Sequence, residues 1–354
     1  MIVYATDHSL KGVAASKQII SQINGFNNIL SNEVIVVGKD EYKDINNLMP
    51  FNHYIKIEGN NKFKRLLSLI KLFKKSISFE RIFTRDMIVV IASVLTKKNV
   101  IYEIHKKPRS INRLFFRFFR NYFKICAISN GINKFCLENL KCNNDNIITL
   151  HDAVNFKEYE QIAQEREELR SDLGMGVDNI YTLYSGTVDF GRDMYRIIEL
   201  SLNFKEVIFY VAGDNGDKFK EVLNIESIPS NIIFLGYIGK TEIVKYQVAS
   251  DILLNLIDES HPNISFCSQL KLFEYFATGN LIISPNIGSL SEVVNKNNCL
   301  IYKTNFSKNA SNITEVFKEC ITLLHRKHPR MPSNIEYARE NTWQNRAEKL
   351  LNFY

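Results

Sequence analysis

The stretch 265–292 constrains the fold of this 354-residue chain more than any other part of the sequence. Leu270 and Phe273 begin an apolar pattern at helical spacing, which predicts an amphipathic helix. Gly279 follows at the position where the end of a helix favours a residue with positive φ. The apolar run 281–283 is typical of a parallel strand that is covered on both faces. The stretch therefore predicts a loop, a helix and a buried strand, as in a βα unit of a doubly wound sheet.

Two charged residues lie near the beginning of this predicted helix. Lys271 and Glu274 are three positions apart and therefore share one surface of the helix. Free backbone N–H groups at a helix N-terminus can hold an anion. The start of the helix is therefore a candidate site for an anionic ligand.

The same stretch resembles the donor-binding segment of the group 1 glycosyltransferases, also called family 4, which have the GT-B fold. In that family the pattern K-x-x-E-Y-x-A-x-G leads into a strand and then to a second Glu. The corresponding residues here are Lys271, Glu274, Tyr275, Ala277, Gly279 and Glu292. The resemblance covers most of the second half of the chain in order, and the first half more loosely. It implies a retaining glycosyltransferase of the hexosyltransferase type with a nucleotide-sugar donor.

The length of the chain and the resemblance together predict the domain organisation. A chain of 354 residues exceeds one typical hydrophobic core, which favours two domains. The resemblance implies an α/β GT-B fold in which two Rossmann-like domains face a cleft. We predict an N-terminal acceptor-side domain over residues 1–165 and a nucleotide-sugar-binding domain over residues 166–335. Residues 336–354 are predicted to form a C-terminal helix that crosses back to the first domain.

The resemblance implies roles for four residues of the second half. Gly186 ends a strand-like run and lets the backbone approach the donor, and Glu274 binds the nucleotide ribose. Arg192 and Lys271 bind the donor diphosphate, although the family usually has a Lys beside this Arg. Both are candidate catalytic residues, because positive charge beside a leaving diphosphate stabilises it.

Three more residues are candidates for donor binding on the same grounds. Tyr237 and Ile238 follow a strand whose next loop lies against the nucleotide base in the resembling family. Ser268 begins the pattern S-x-x-K-x-x-E-Y, which some members of the family share.

One position departs from the family. A Glu often stands eight residues before the helix Glu, but Phe266 occupies that position here. The sugar contact that this Glu normally makes is then expected from Asn263 or Ser265, or it is missing.

Two residues of the first half are candidates for the acceptor side. His105 ends the strand-like run 100–105, and ligands of open α/β sheets bind at the carboxyl ends of strands. The resemblance implies that His105 is a candidate catalytic residue that lines the acceptor side. It also places Gly12 beside the donor diphosphate or the acceptor. A packing role for the His and a plain βα turn at the Gly are the alternatives.

Positive charge is concentrated in one part of the first half. Residues 51–150 contain 20 Lys and Arg against 6 Asp and Glu, while the net charge of the whole chain is +7. Such a field favours an anionic partner, which can be a membrane lipid, a nucleic acid or a phosphorylated substrate. No recognised nucleic-acid motif is present, so we expect no nucleic-acid partner.

Two predicted helices, 62–75 and 109–124, carry much of this charge. Cations with exposed aromatic rings suit an anionic membrane surface, and a solvated charged face is the alternative. We expect Phe116 and Phe123 to be exposed among the arginines. The apolar residues expected to face the core are Phe63, Leu66, Leu67, Ile70 and Phe73 in the first helix, and Ile111, Leu114, Phe115, Phe118, Phe119 and Tyr122 in the second.

Neither a membrane-spanning helix nor a metal site is expected. No apolar run reaches 18 residues, and the first residues lack the basic leader of a signal peptide. We therefore expect a cytoplasmic protein that is peripheral on the inner face of the cytoplasmic membrane. The six cysteines form no Cys-x-x-Cys pair and no Asp-x-Asp pair ends a strand, so we expect no metal and no other cofactor.

The resemblance implies that the protein moves a sugar from a nucleotide-sugar to a glycan or lipid-linked acceptor. Surface polysaccharide biosynthesis, such as that of O-antigen or capsule, is the expected process. Two alternatives remain open. One is a non-catalytic GT-B partner subunit of another transferase, which the missing Glu motivates. The other is a sugar-nucleotide epimerase on the same fold.

Overall fold

The computed structural model describes residues 1–10, 14–31, 33–45, 53–163, 166–304, 311–325 and 331–354. The chain divides into two compact units. The N-terminal unit comprises Met1–Asp152, Phe266–Ser268 and Thr342–Tyr354, and the C-terminal unit comprises Ala153–Ser265 and Gln269–Asn341.

Strands and helices alternate along most of the described chain. The strands are β1 (Ile2–Ala5), β2 (Val34–Gly38), β3 (His53–Lys56), β4 (Arg81–Thr84), β5 (Asn99–Ile104), β6 (Lys124–Ala127), β7 (Ile147–Thr149), β8 (Ile180–Ser185), β9 (Val207–Ala212), β10 (Ile232–Gly236), β11 (Ile252–Leu254), β12 (Leu281–Pro285) and β13 (Leu300–Tyr302). The helices are α1 (Ala14–Ile29), α2 (Lys62–Lys75), α3 (Met87–Leu95), α4 (Ser110–Phe119), α5 (Asn130–Glu138), α6 (Phe156–Ala163), α7 (Arg166–Asp172), α8 (Tyr195–Asn203), α9 (Asp217–Leu223), α10 (Lys240–Ala249), α11 (Leu270–Thr278), α12 (Ile313–His325), α13 (Pro332–Glu340) and α14 (Trp343–Phe353).

The N-terminal unit is built on one parallel sheet with strand order β3-β2-β1-β4-β5-β6-β7. Parallel neighbours need crossover connections, and helices here cover both faces of the sheet. Buried residues of α2, α3, α4 and α5 pack on one face, and those of α1 and α14 pack on the other. Because all strands point the same way, their carboxyl ends form one edge, and the loops at that edge carry the candidate residues of this unit.

The C-terminal helix α14 is part of the N-terminal unit, which confirms the predicted crossover. Ala347 and Leu350 are buried in the same apolar cluster as residues of α1. The two helices approach closely at Gly25, where an added Cβ atom would lie 2.3 Å from the carbonyl oxygen of Trp343. Only a glycine permits this approach.

The C-terminal unit is built on a second parallel sheet with strand order β10-β9-β8-β11-β12-β13. The predicted helix, glycine and strand are confirmed as α11, Gly279 and β12. Every residue of β12 is buried, as expected of a strand with parallel neighbours on both sides. Both units therefore have the predicted α/β architecture.

The predicted orientation of α4 was wrong. Phe116 and Phe123 are buried rather than exposed, with their ring centroids 5.2 Å apart. Both rings also contact Tyr102 of β5. Helical spacing misled the prediction because α4 ends at Phe119, so Tyr122 and Phe123 lie beyond the helix and do not continue its spacing.

A different set of apolar residues faces solvent on the two basic helices. On α4, Leu114 is 58% exposed and Phe118 is 65% exposed, and Tyr122 just beyond the helix is 67% exposed. On α2, Phe63 and Leu67 are exposed as well, although both were expected to face the core. The exposed faces of α2 and α4 thus combine positive charge with large apolar side chains.

All six cysteines are free thiols, and all except Cys267 are buried. No helix among the described residues is long and apolar enough to cross a bilayer.

Candidate functional site

In the C-terminal unit, three neighbouring strands end in glycines that meet each other. Gly186 follows β8 with a φ of 140°. Gly213 follows β9, and an added Cβ atom on Gly213 would lie 2.3 Å from the carbonyl oxygen of Gly186. The Gly213 N–H in turn donates to the carbonyl oxygen of Gly236 at the end of β10 (2.7 Å). A strand edge without side chains lets a ligand approach the backbone closely.

Lys271 lies in the first turn of α11 and has an unusual environment. Its ammonium nitrogen Nζ is buried and has no hydrogen-bond partner among the described residues. The nitrogen lies 4.2 Å from the centroid of the Tyr184 ring. Burial and the nearby charge of Arg192 lower the pKa of Lys271 well below its usual range. A buried cationic group without a hydrogen bond is costly, so this arrangement favours an anionic ligand.

Arg192 adds a second positive charge close to Lys271. Within the described part of the chain its guanidinium makes no hydrogen bond and no ion pair. Two neighbouring cations repel each other unless an anion lies between them. The N-terminus of α11 contributes further positive potential at Lys271. The chemistry of this group fits a diphosphate, which carries enough negative charge and enough acceptor oxygens to pair with both side chains.

Glu274 is held in place by a buried amide. Gln247 of α10 donates from Nε2 to Glu274 Oε2 (3.2 Å) and to Ser185 Oγ (3.3 Å). The Gln247 Oε1 atom accepts from the hydroxyl of Tyr159 (2.7 Å). Tyr275 completes the network, because its hydroxyl lies 2.9 Å from Ser185 Oγ. The amide of Gln247 therefore helps to orient the carboxylate of Glu274.

The loop after β11 is anchored near Gly191 and near Ser289. The Asp258 N–H donates to the carbonyl oxygen of Gly191 (3.1 Å). The carbonyl oxygen of Ile264 accepts from both the N–H and the Oγ of Ser289, each at 2.8 Å. These contacts fix the path of residues 258–264.

His261 lies in this loop, and the sequence patterns did not point to it. Burial and the charge of Arg192 lower the pKa of His261, and Lys271 acts in the same direction. The backbone of His261 also lies against Gly191, the residue before Arg192, where an added Cβ atom would be 2.8 Å from the Cα atom of His261. Asn263 and Ser265 are exposed.

The other predicted donor residues lie in three different places. Tyr237 follows β10 and is 81% exposed, and Ile238 packs against the apolar core of the C-terminal unit. Ser268 belongs to the N-terminal unit, where its Oγ accepts a hydrogen bond from the N–H of Asp152 (2.8 Å). Phe266 also belongs to that unit, and Gly12 lies outside the described residues.

In the N-terminal unit, His105 follows β5 and pairs with Glu103. The His105 Nε2 atom lies 2.5 Å from Glu103 Oε1. Burial and the charge of Arg85 lower the pKa of His105 to about 4, so the imidazole is neutral near pH 7. Burial alone would raise the pKa of Glu103, but the charge of Arg346 and the bond from His105 hold it well below its usual range. The Nε2 atom therefore carries the proton and Nδ1 is left as an acceptor.

Arg346 of α14 contacts the Glu103 carboxylate of this pair. Its Nη2 donates to Glu103 Oε2 (2.5 Å) and its Nε donates to the carbonyl oxygen of His151 (2.8 Å). A hydrogen bond from Nη1 to Gln22 of α1 completes its contacts with charged or amide side chains. Nothing in the local sequence around position 346 indicated this role, because the partners lie more than 190 positions away.

A second buried carboxyl lies nearby in the same unit. Asp152 Oδ2 accepts from Gln18 Nε2 (2.7 Å), and Gln18 Oε1 accepts from Arg85 Nη1 (3.1 Å). Burial raises the pKa of Asp152 to about 7. The carboxyl edge of the sheet therefore combines an ionised Glu, a neutral His and an Asp that titrates near neutral pH.

Comparison with protein families gives a match in the C-terminal unit. Residues 184–321 match the model of the family described as Glycosyl transferases group 1. The matched segment contains Gly186, Arg192, Lys271 and Glu274. No curated protein matches the chain.

Several solved structures resemble the whole chain. A glycosyltransferase from Rickettsia africae ESF-5 is 17% identical, with a TM-score of 0.79 over 99% of this chain and 97% of that one. Anabaena Alr3699/HepE in complex with UDP is 15% identical, with a TM-score of 0.74 over 100% of both chains. WaaG, a glycosyltransferase involved in lipopolysaccharide biosynthesis, is 14% identical, with a TM-score of 0.68 over 99% of this chain and 98% of that one. This likeness concerns the fold and confirms the predicted GT-B architecture.

Proposed function

We propose that this chain, whose residues 184–321 match the family described as Glycosyl transferases group 1, is a glycosyltransferase that transfers a hexose with retention of configuration from a nucleoside diphosphate sugar to a hydroxyl group. The observation that carries the proposal is the buried Nζ of Lys271, which has no hydrogen-bond partner among the described residues. Together with Arg192 and the N-terminus of α11 it forms a site for the donor diphosphate.

The roles of the donor-binding residues follow from their chemistry. When the bond between the sugar and the diphosphate breaks, negative charge grows on the phosphate oxygens, and Lys271 and Arg192 stabilise it. The carboxylate of Glu274 accepts hydrogen bonds from the ribose hydroxyls, and Gln247 keeps it in that orientation. Tyr237 is an exposed ring that can lie against the nucleotide base. Gly186 leaves the backbone open beside the phosphates.

We propose that transfer needs no divalent metal. Two protein cations and a helix N-terminus supply the positive charge that a bound metal would bring to the diphosphate. Activity in the presence of EDTA tests this part of the proposal, and a complete loss that Mn²⁺ reverses contradicts it.

We place acceptor binding on the N-terminal unit at the carboxyl edge of its sheet. His105 offers an unprotonated Nδ1 there, which suits a hydroxyl donor. WaaG takes part in lipopolysaccharide biosynthesis, and this parallel supports a glycan or lipid-linked acceptor in surface polysaccharide biosynthesis for the present chain.

The basic helices support attachment to an anionic membrane surface from the cytoplasmic side. Both α2 and α4 pack on the same face of the N-terminal sheet, so their exposed sides lie on one side of the unit. Arg113 and Arg117 are exposed beside Leu114 and Phe118 on α4. Apolar side chains among cations are suited to anionic lipid headgroups, where each Lys or Arg contributes about 1 kcal/mol.

Calorimetric titration with UDP and other nucleoside diphosphates tests the donor site. We expect the wild-type chain to bind at least one of them, and Lys271→Ala to weaken that binding on the order of tenfold to a hundredfold. Lys318→Ala is the matched control, because Lys318 is an exposed residue of α12 and its substitution removes the same charge elsewhere in the unit. Equal affinities of Lys271→Ala and wild type would contradict the proposal.

A further inference from the structure

A second imidazole–carboxylate pair lies at the carboxyl edge of the N-terminal sheet, in the loop after β1. His8 Nδ1 is 2.7 Å from Asp86 Oδ1. The side chain of His8 is 51% exposed, whereas that of Asp86 is 11% exposed. The pair therefore has one buried end, which fixes the carboxylate, and one end that reaches solvent.

The carboxylate of Asp86 is ionised and oriented. Its other oxygen, Oδ2, accepts hydrogen bonds from Thr6 Oγ1 (2.8 Å) and from the N–H of Asp7 (2.7 Å). Burial opposes ionisation, but these bonds and the contact with His8 lower the pKa of Asp86 below its usual value. An ionised carboxylate only accepts hydrogen bonds, so Nδ1 of His8 carries the proton. In the neutral imidazole, Nε2 then has a lone pair that can accept a hydrogen bond.

The loop that carries His8 is held from both sides. Arg65 of α2 donates from Nε and Nη2 to the two oxygens of Asp7 (2.5 and 3.2 Å). Asp40 accepts from the N–H of Leu10 (2.5 Å). A loop fixed in this way loses little freedom when it binds a ligand, which favours a binding role.

The position of the pair relates it to His105 within the same unit. Strands β1, β4 and β5 are neighbours in the sheet, and they lead to His8, Asp86 and His105 respectively. Since neighbouring strands lie about 4.8 Å apart, β1 and β5 are separated by about 10 Å. One edge of the sheet thus holds two imidazoles, each with one nitrogen bonded to a carboxylate and the other nitrogen left to accept.

We propose that His8 is a second acceptor-binding residue, whose Nε2 accepts a hydrogen bond from a hydroxyl group of the acceptor, and that Asp86 is its positioning residue. This inference rests on the proposed function, in which the N-terminal unit binds the acceptor. Two hydroxyl-accepting nitrogens, on the ends of strands β1 and β5 with β4 between them, suit a polyhydroxylated ligand such as a glycan. An acceptor with a single hydroxyl would use only one of them.

The tautomer of His8 can be measured without any activity. In Asp86→Asn the new amide keeps an oxygen for Thr6 and Asp7 and turns an N–H donor toward His8. His8 Nδ1 must then accept, and the proton moves to Nε2, as replacement of the carboxylate of a His–Asp pair by an amide is known to do. Nitrogen-15 NMR of the imidazoles at a pH where His8 is neutral should show Nδ1–H in wild type and Nε2–H in the variant. The same tautomer in both proteins would overturn the assignment.

Ligand binding is tested with methyl glycosides of common hexoses and hexosamines at millimolar concentration. We expect at least one glycoside to shift the Nε2 resonance of His8. His8→Ala and Asp86→Asn should weaken its binding on the order of tenfold, whereas His8→Gln retains an acceptor oxygen and restores part of the affinity. His53→Gln is the control, since this exposed histidine lies on the edge strand β3. A panel in which no glycoside shifts His8, or in which His8→Ala binds like wild type, would overturn the proposal.

The donor site gives an independent readout. UDP binding to the C-terminal unit should be the same in His8→Ala and in wild type. If the wild type does not bind UDP, this counts against the proposed function. The tautomer and glycoside measurements would still decide the role of His8. A parallel loss of UDP affinity in His8→Ala would show that the variant is globally damaged, and His8→Gln would then decide the question.

Discussion

Arg346 of the C-terminal helix α14 donates a hydrogen bond of 2.5 Å to Glu103, which in turn accepts from His105. The C-terminal helix therefore reaches the candidate acceptor-side histidine through one buried carboxylate. This explains physically why the last helix is part of the N-terminal unit, because Glu103 would otherwise be a buried charge with a weaker set of partners.

We predict that Arg346→Ala strongly destabilises the N-terminal unit. Removing one partner of a buried ion pair leaves an uncompensated charge and costs about 3–5 kcal/mol. Urea unfolding followed by circular dichroism measures the loss. Lys134→Ala is the control, because its ion pair with Glu138 is exposed and worth less than about 1 kcal/mol. A similarly small loss of unfolding free energy in both variants would contradict the predicted contribution of Arg346 to stability.

The pH dependence of stability should split into two opposite contributions. The folded-state pKa of His105 is about 4, below its usual 6.5, so the unfolded chain binds the proton more tightly and stability falls on acidification from pH 6.5 towards 4. The folded-state pKa of Asp152 is about 7, above its usual 3.8, so the folded chain binds that proton more tightly and stability rises over the same range. Each group contributes at most about 1.4 kcal/mol per pH unit.

Single variants separate the two contributions. Thermal unfolding between pH 5 and pH 7 should show that His105→Asn gains stability on acidification relative to wild type, and that Asp152→Asn loses it. Profiles of the two variants that run parallel to the wild-type profile would show that neither residue titrates in this range.

Binding of a nucleoside diphosphate should be coupled to proton uptake at Lys271. Burial and Arg192 lower the pKa of Lys271 in the free protein, and a diphosphate beside its Nζ favours the charged form. Affinity for UDP should therefore rise as the pH falls. Calorimetry at pH 8 in two buffers of different ionisation enthalpy measures the proton count, and Lys271→Met should abolish the uptake. Identical heats in both buffers for the wild type would contradict this coupling.

Membrane attachment should depend on the exposed face of α4. We expect wild type to co-sediment with anionic vesicles at low salt and to be released at high salt, because surface charge is screened. The double variant Arg113→Glu, Arg117→Glu should no longer co-sediment with the vesicles. Phe118→Ser by itself should weaken the binding, because it removes an apolar contact with the lipid. Phe190→Ser is the control, since this phenylalanine is also exposed but lies in the C-terminal unit. Equal sedimentation with neutral vesicles, insensitive to salt, would mean that the face is only solvated.

The parts of the fold that depend on short-range pattern could be predicted from sequence. The run from α11 through Gly279 to β12 has helical spacing, a glycine stop and a continuous apolar strand, and all three are local properties. The face of α4 could not be predicted. Spacing along the helix does not show which part of its apolar side packs on the sheet, and the contact of Phe116 with Tyr102 on β5 decided this.

The candidate sites show the same division. Lys271 and Glu274 lie within a motif, and the pattern therefore pointed to them. Gln247, which orients Glu274, is 27 positions away and was found only from the hydrogen bond. His8 and Asp86 are 78 positions apart and come together because β1 and β4 are neighbours in the sheet.

The most direct test of the account is the rate at which the purified chain releases nucleoside diphosphate from a panel of nucleotide sugars, measured for wild type and for Glu274→Ala. We predict release from at least one donor by the wild type, and a loss on the order of tenfold to a hundredfold in the variant at an unchanged melting temperature. Glu315→Ala, which removes an exposed carboxylate of α12 in the same unit, controls for the lost charge. Turnover by Glu274→Ala equal to that of wild type would contradict the assignment of the donor site.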